Sequence, residues 1–546
     1  MFELNLPIIA VNFARCFSSQ TILNKDTNQA RGIAEYAKNF MSSDKVISPE
    51  VYERVRLFHT DSVLCGISAI ALKTNAPNVL RNEALRNFKA TRDHKDTNMK
   101  VSKCLGSSTW VSSEKAIVSN ASAVREWDSN GTVFGYNPNV PGHTAGEFGH
   151  NDYYPVVIAA AHNNKNFNGK DVLKGMILLD EIRGRLAEVF SLKTYKIDHV
   201  VHGAIASAAT YGAMLNCSAE EIEHAIGMVV AHYIPWRAIR AGKQLSDSKG
   251  ASAALTTEAA ILSMHRAMDG FIGPKDIFRN PEAIFRYFEP TGDNDESPFN
   301  LVLSNEGDDF AVMGMHFKLG LYEHQSAGAI NGLLKLIREQ PELLKDGNHK
   351  NIRKIKITAY EPAYGIIGDK AKWSPTTRQS ADHSMVYIIS TMLRKAFETQ
   401  ASLDPKSDIK EYWKTLMLTP QDYSKDAINN EVTRELMHKI QFFHGGDEYD
   451  SKYPEGIPSS IEIQTPDTKK HDSGFIMFPG GHARNTDTDL KDVLRHKFKT
   501  LGQMALSDQN LDTFIDKLEN IENASNEDLK SLYECDIKFA DKSVDE

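Results

Sequence analysis

Gly203-Ala204-Ile205-Ala206-Ser207-Ala208-Ala209-Thr210-Tyr211-Gly212-Ala213-Met214 is the run from which the architecture follows. It has no polar face at helical spacing, and its side chains are small enough for other helices to come close. Such a helix belongs inside a bundle. The same character recurs on both sides of it. Pro49–Phe58 continues into Val63-Leu64-Cys65-Gly66-Ile67-Ser68-Ala69-Ile70-Ala71-Leu72, and 155–161, 172–190 and 251–264 read alike. From Gly32 to about Ile284 the pattern is helical almost throughout, which predicts an all-helical domain over 29–300.

Past residue 300 the pattern changes. A helix is expected over 316–337, entered through an extended Phe317-Lys318-Leu319, and another over 384–397. Residues 352–360 and 460–465 alternate apolar and polar side chains and read as half-buried strands, with Gly474–Phe478 as a hairpin partner for the second. These elements predict a smaller α+β domain over 301–487. The segment 488–546 is helical again, charged on one face, and is expected to return to the bundle. The fold class is therefore mainly α, a large all-helical domain plus a smaller α+β lid.

The bulk properties narrow the function. A formal net charge of -9 excludes the basic footprint of a general nucleic-acid binder. No apolar run approaches the roughly 20 residues that span a bilayer, so no membrane partner is expected. The cysteines Cys16, Cys65, Cys104, Cys217 and Cys535 lie far apart with no C-x-x-C pair, which offers no zinc knuckle, iron–sulfur cluster or disulfide framework. No metal is expected. Residues 1–28 are poor in acids and carry Ala14-Arg15-Cys16-Phe17-Ser18-Ser19, resembling the processing region of a mitochondrial transit peptide. The expectation is a leader and a mitochondrial matrix protein, or a cytoplasmic one if 1–28 is not a transit peptide.

Chemistry-bearing residues gather in a few places. Arg125-Glu126-Trp127-Asp128-Ser129-Asn130-Gly131-Thr132 runs on to His143 and to Gly149-His150-Asn151-Asp152. Polar groups between apolar helices are costly to bury without partners or a ligand. Asp128 alone reads as a base, a hydrogen-bond acceptor or a helix cap; His143 and His150 in the same loop favour a site. Asp198-His199 opens the small-residue helix, where the carboxylate can set the imidazole's pKa. Arg237, Arg240, Lys243 and Lys249 form a cationic segment suited to carboxylates. Tyr364 and Asp382-His383 make a further candidate in the second domain. Walker, G-x-G-x-x-G, H-E-x-x-H and G-x-S-x-G motifs are absent.

In order and spacing, these stretches resemble the MmgE/PrpD family over about residues 30–530. The resemblance rests on Leu64-Cys65-Gly66-Ile67, Trp127-Asp128 to Gly149-His150, 192–207, 240–251, Phe317-Lys318 and Ala381-Asp382-His383-Ser384. It implies a helical domain with an α+β lid, a homodimer, and catalysis with no cofactor. It implies catalytic roles for Asp128, His150, His199, Thr132 and Lys249. Substrate contacts are expected from Lys243, Arg240, Tyr364, Asp382, His383 and His143. Many members carry His-Pro-Ser-Asp where this chain has His150-Asn151-Asp152 after an apparent insertion over 139–148, so His143 and His150 compete for the family position, as Lys243 and Lys249 do for theirs. The implied activity is dehydration of 2-methylcitrate to 2-methyl-cis-aconitate. Decarboxylation of cis-aconitate to itaconate is the close alternative, and a non-catalytic binding protein on the same scaffold the more distant one. The small partner is a tricarboxylate.

Overall fold

The computed structural model describes residues 19–90, 99–240, 244–293 and 295–546. Helices α1 (Gln29–Ser42), α2 (Pro49–Ala71), α3 (Asn75–Asn87), α4 (Ser113–Glu126), α5 (Tyr154–His162), α6 (Gly169–Val189), α7 (Val200–Met214), α8 (Ala219–His232) and α9 (Asp247–Met268) build the first part of the chain. The small-residue run lies in α7, every residue of which is buried. α7 packs on α1, α5, α6, α8 and α9. Its smallness is required: a Cβ on Gly203 would collide with the Tyr153 ring. Gly66 acts alike where α2 meets α4, since a Cβ there would lie 2.7 Å from Leu105 and 3.5 Å from the Val124 backbone nitrogen. Pro49 starts α2 at a position where its missing N–H costs nothing.

The strands are short: β1 (Gln20–Leu23), β2 (Val101–Lys103), β3 (Trp110–Ser112), β4 (Thr132–Phe134), β5 (Phe148–His150), β6 (Leu301–Ser304), β7 (Lys354–Ala359), β8 (Ile440–His444), β9 (Ser459–Gln464) and β10 (Lys470–Asp472). β7 is parallel to β8 and antiparallel to β9, giving the order β10-β9-β7-β8. Helix Ala327–Glu339 packs on β9, and helix Met385–Glu398 packs on it in turn. β7 and β9 alternate buried and half-buried residues, as their sequences predict.

Two expectations about the elements are corrected. β9 pairs with β10, not with Gly474–Phe478; Ile476 makes only an isolated bridge to Ser459. The helix expected from residue 316 begins at Ala327, after a short 3-10 turn over His324–Ser326, because 316–323 runs as a non-helical segment tied by backbone hydrogen bonds to Thr132 and Asp128. Part of the segment expected as a leader, 1–28, is packed into the fold. Gln20–Leu23 is paired with β6, and the Asn28 side chain caps α1. Residues 1–18 lie outside the described residues.

At the C-terminal end, helices Leu490–Gln503 and Asp508–Glu519 pack on α2 and Asn526–Lys530 on α5.

Candidate functional site

Three extended pieces bring the site together. In the β4–β5 hairpin Thr132 lies opposite His150. On its other side Thr132 exchanges backbone hydrogen bonds with His316, of 2.9 and 2.8 Å, and the Tyr322 N–H donates to the Asp128 carbonyl at 2.9 Å. Asp128, His150 and Lys318, far apart in sequence, are thereby fixed side by side.

Asp128 is fully buried just past the end of α4. Lys318, equally buried, donates to its Oδ1. Arg125 Nη2 lies 3.2 Å from Oδ2, His383 Nε2 3.2 Å and Lys249 Nζ 3.8 Å. Burial alone would push this carboxyl up, but Arg125, Lys318, His383 and Lys249 outweigh it and hold the group well below the usual carboxylate range. Asp128 is therefore a permanent anion. A carboxylate so stabilised is a poor proton acceptor; its role is to gather cations.

Lys249 Nζ also lies 2.8 Å from Asp382 Oδ1 and 2.9 Å from His383 Nδ1. Burial draws His383 down to about 4, so its ring is neutral near pH 7. Its Nδ1 lies 2.7 Å from Asp382 Oδ1 and its Nε2 3.2 Å from Asp128 Oδ2, so the neutral ring donates to one of these two carboxylates, the tautomer fixing which. Asp128, Asp382 and His383 place ligand-type atoms within 4.8 Å of one another, but the Lys249 ammonium holds the cation's place among them.

A cavity opens beside this cluster, lined by Phe148, His150, Arg237, Arg240, Leu245, Lys249, Glu323, Gln325, Ile366, Ile367, Lys372 and His383. Four of these are cations. Arg240 is tied to Asp198, whereas Arg237 keeps a buried Nη1 with no hydrogen-bond partner among the described residues. Burial lowers His150 well below the usual histidine value, and Arg125 and Lys318 lower it further, so it faces the cavity as a free base. His199 is likewise neutral: burial outweighs Asp198, 3.4 Å away, and Arg240 and Arg237 add to the burial. Its ring stands edge-on to His150, 5.4 Å between centroids. Burial raises Glu323 to about 8, with Asp128 adding to the rise against Lys318 and Lys372. Lys372 is lowered by burial to about 8. Near pH 7 the cavity thus offers a neutral carboxylic acid, a neutral imidazole and several cations.

The space enclosed is about 40 Å³, room for roughly one or two waters. Ile366, Ile367 and Lys372 line one side of it.

The expected residues separate accordingly. His150, Arg240, Lys249 and His383 line the cavity; Asp128, His199 and Asp382 stand directly behind that lining. The Thr132 hydroxyl donates to the Gly149 carbonyl at 2.7 Å and so secures the hairpin that carries His150. Lys243 lies outside the described residues. Two expectations are corrected. His143 does not reach the cavity: its Nδ1 pairs with Glu188 at 2.7 Å, and its Nε2 accepts from the Val302 N–H. Tyr364 is turned away, its ring set against Phe442 and His444. It belongs to the π-helical turn Ala363–Ile367, whose later residues Ile366 and Ile367 face the cavity instead.

Sequence reasoning missed Lys318 and Lys372 as site residues, while Arg237 is one of the carboxylate-binding cations it predicts. Lys318 left one signal, a lone charge in the apolar stretch Met315-His316-Phe317-Lys318-Leu319. A lysine there is stable only beside a buried carboxylate.

Fold and site together give a mainly helical protein with a cation-lined cavity and acid–base groups beside it. Residues 31–296 match the MmgE/PrpD N-terminal domain and residues 322–416 the MmgE/PrpD C-terminal domain. The chain belongs to the MmgE/PrpD family. It is 22% identical to a probable 2-methylcitrate dehydratase of Saccharomyces cerevisiae over 498 residues, 89% of this chain and 88% of that protein. A 2-methylcitrate dehydratase of Escherichia coli O157:H7 is 22% identical over 65% of this chain and 69% of its own length. The mitochondrial 2-methylcitrate dehydratase of Yarrowia lipolytica is 24% identical over 62% and 60%, respectively.

Proposed function

We propose that this protein is a hydro-lyase that dehydrates 2-methylcitrate to 2-methyl-cis-aconitate, using side chains alone. The observation that carries the reading is the cation-lined cavity, with an unpartnered Arg237 Nη1 beside the neutral His150. Three relatives named as 2-methylcitrate dehydratases support the choice of substrate. In the proposed reaction Arg237, Arg240, Lys249 and Lys372 hold the carboxylates and stabilise the charge that develops when the α-proton leaves. His150 takes that proton. The electron pair of the broken C–H bond forms the alkene as the C–O bond breaks, and Glu323 protonates the departing hydroxyl to give water. His199 supports the His150 ring from behind.

Incubating the purified protein with 2-methylcitrate and, separately, with cis-aconitate tests the reading. Alkene absorbance should rise with 2-methylcitrate, and NMR should detect no itaconate from cis-aconitate. Itaconate would favour the decarboxylase, and product from neither acid would favour a binding role. A matrix location and a homodimer belong to the same reading. Import of a reporter fused to residues 1–28, and sedimentation velocity of the purified chain, test them.

The electrostatics set the pH dependence. As pH rises through about 8, Glu323 gains a negative charge and Lys372 loses its positive one, so attraction for a polyanion weakens on both counts. kcat/KM should therefore fall on the alkaline side. Glu323→Gln removes the first cause, so its KM should rise less steeply above pH 8 than that of the wild type, while kcat drops for want of the acid. Parallel KM profiles would remove Glu323 from the site.

A further inference from the structure

The helix Leu490–Gln503 lies beyond both family-matched ranges and contributes a lysine to the interior. Lys497 is 1% exposed. Its ammonium lies 2.7 Å from Asp61 Oδ1 in the middle of α2, and it donates to the Ser129 carbonyl at 2.6 Å and the Lys318 carbonyl at 2.9 Å. Three acceptors match the three protons of an ammonium group. Two of them are backbone oxygens on the segments that carry Asp128 and Lys318. The Ser129 hydroxyl ties the same segments again through the Gly320 carbonyl, at 2.8 Å. Asp61 is fully buried, and apart from Lys497 neither of its oxygens has a polar partner among the described residues.

We infer that Lys497 is a positioning residue for the reaction: it fixes the backbones of Ser129 and Lys318 so that the Asp128 carboxylate and the Lys318 ammonium stay paired behind the cavity. This rests on the active site proposed above. The ion pair with Asp61 holds Lys497 in place, and the carbonyl contacts transmit its position to the site. A lysine serving only to neutralise Asp61 would need no backbone acceptors on two catalytic segments. Displacement of a reacting group by about 1 Å costs on the order of 100-fold in rate, so loss of this grip should be seen in kcat.

Three variants separate the roles. Lys497→Met leaves Asp61 buried and unpaired and is expected to lower thermal stability. Asp61→Asn/Lys497→Met removes both charges, so its stability should recover while the carbonyl contacts stay broken. Asp61→Asn alone retains those contacts. With 2-methylcitrate, the double variant is expected to lose roughly 100-fold in kcat with KM within about threefold of wild type, and Asp61→Asn to keep most of its kcat. A second readout needs no substrate: acetic anhydride labelling of Lys318, followed by peptide mass spectrometry well below each unfolding temperature. Lys318 of the double variant should acylate about tenfold faster than in the wild type, as expected for a segment that opens locally, with Lys249 labelled at an unchanged rate. If the wild type turns over no acid tested, the function proposed above fails and the labelling alone judges this inference. Unchanged Lys318 labelling, or a double variant with wild-type kcat, overturns it.

Discussion

Asp128→Asn is expected to lower kcat by roughly 1,000-fold, at the upper end of what losing one oriented electrostatic group costs, and to destabilise the fold by about 3–5 kcal/mol, as when one partner of a buried pair is removed. The substitution preserves shape and removes only charge. Arg125, Lys318, Lys249 and His383 all converge on that carboxylate. Without it, Lys318 is a fully buried ammonium that has lost its only carboxylate partner among the described residues. Burial already lowers its pKa and Asp128 opposes the fall; in the variant that opposition disappears, so the folded-state pKa drops further below the unfolded value. The unfolded chain then binds more protons than the folded one, and stability rises with pH. The deficit against wild type should accordingly narrow as pH rises toward the unfolded lysine pKa of about 10.4. Asp382→Asn should cost less, because Lys249 still faces Asp128. Kinetics with 2-methylcitrate and thermal unfolding across that pH range check all of this. An Asp128→Asn protein with wild-type kcat would show that the cluster is scaffold rather than site.

The helical part of this molecule was legible because its signal is local. α7 and the second half of α2 are so rich in small and apolar residues that only the interior of a bundle suits them. β7 and β9 declare themselves by alternation. The failures share a different cause. Gly474–Phe478 looked like a partner for β9, yet Pro466-Asp467, an ordinary turn signal, closes the chain earlier, with the Thr465 N–H donating to the Lys469 carbonyl at 3.0 Å. Tyr364 looked like a pocket residue until the π-helical turn rotated Ile366 and Ile367 inward in its place. In the site, residue types were readable and pairings were not. Asp128 meets Lys318 and Lys249 meets Asp382 across 190 and 133 residues of chain, and no spacing rule spans such distances. Glu323 carries only a weak sequence mark, the Glu323-His324-Gln325 cluster: its proton is held by burial, which exists only after folding.

The β4–β5 hairpin carries two histidines, His143 in its loop and His150 in β5, and their physical settings predict opposite outcomes. His150→Ala should cut kcat by roughly 100- to 10,000-fold, the range for loss of a general acid–base group, with little change in unfolding temperature. Among the described residues its ring has one hydrogen-bonding neighbour, Lys318 Nζ at 3.5 Å, and Lys318 keeps Asp128, so nothing charged is stranded. His143→Ala should do the reverse. Glu188 retains Arg185, with contacts of 3.2 Å to both carboxylate oxygens, so the charge stays paired, but a buried ring and two hydrogen bonds are lost. The cost is about 1–3 kcal/mol of stability, with kcat near wild type. The distinction follows from pairing register: Thr132 opposite His150 puts that imidazole at the cavity, whereas the intervening residues carry His143 to Glu188 and β6. Kinetics and thermal unfolding of both variants, measured side by side, give the ranking. Equal losses of kcat would mean that the hairpin as a whole, and not the His150 ring, governs turnover.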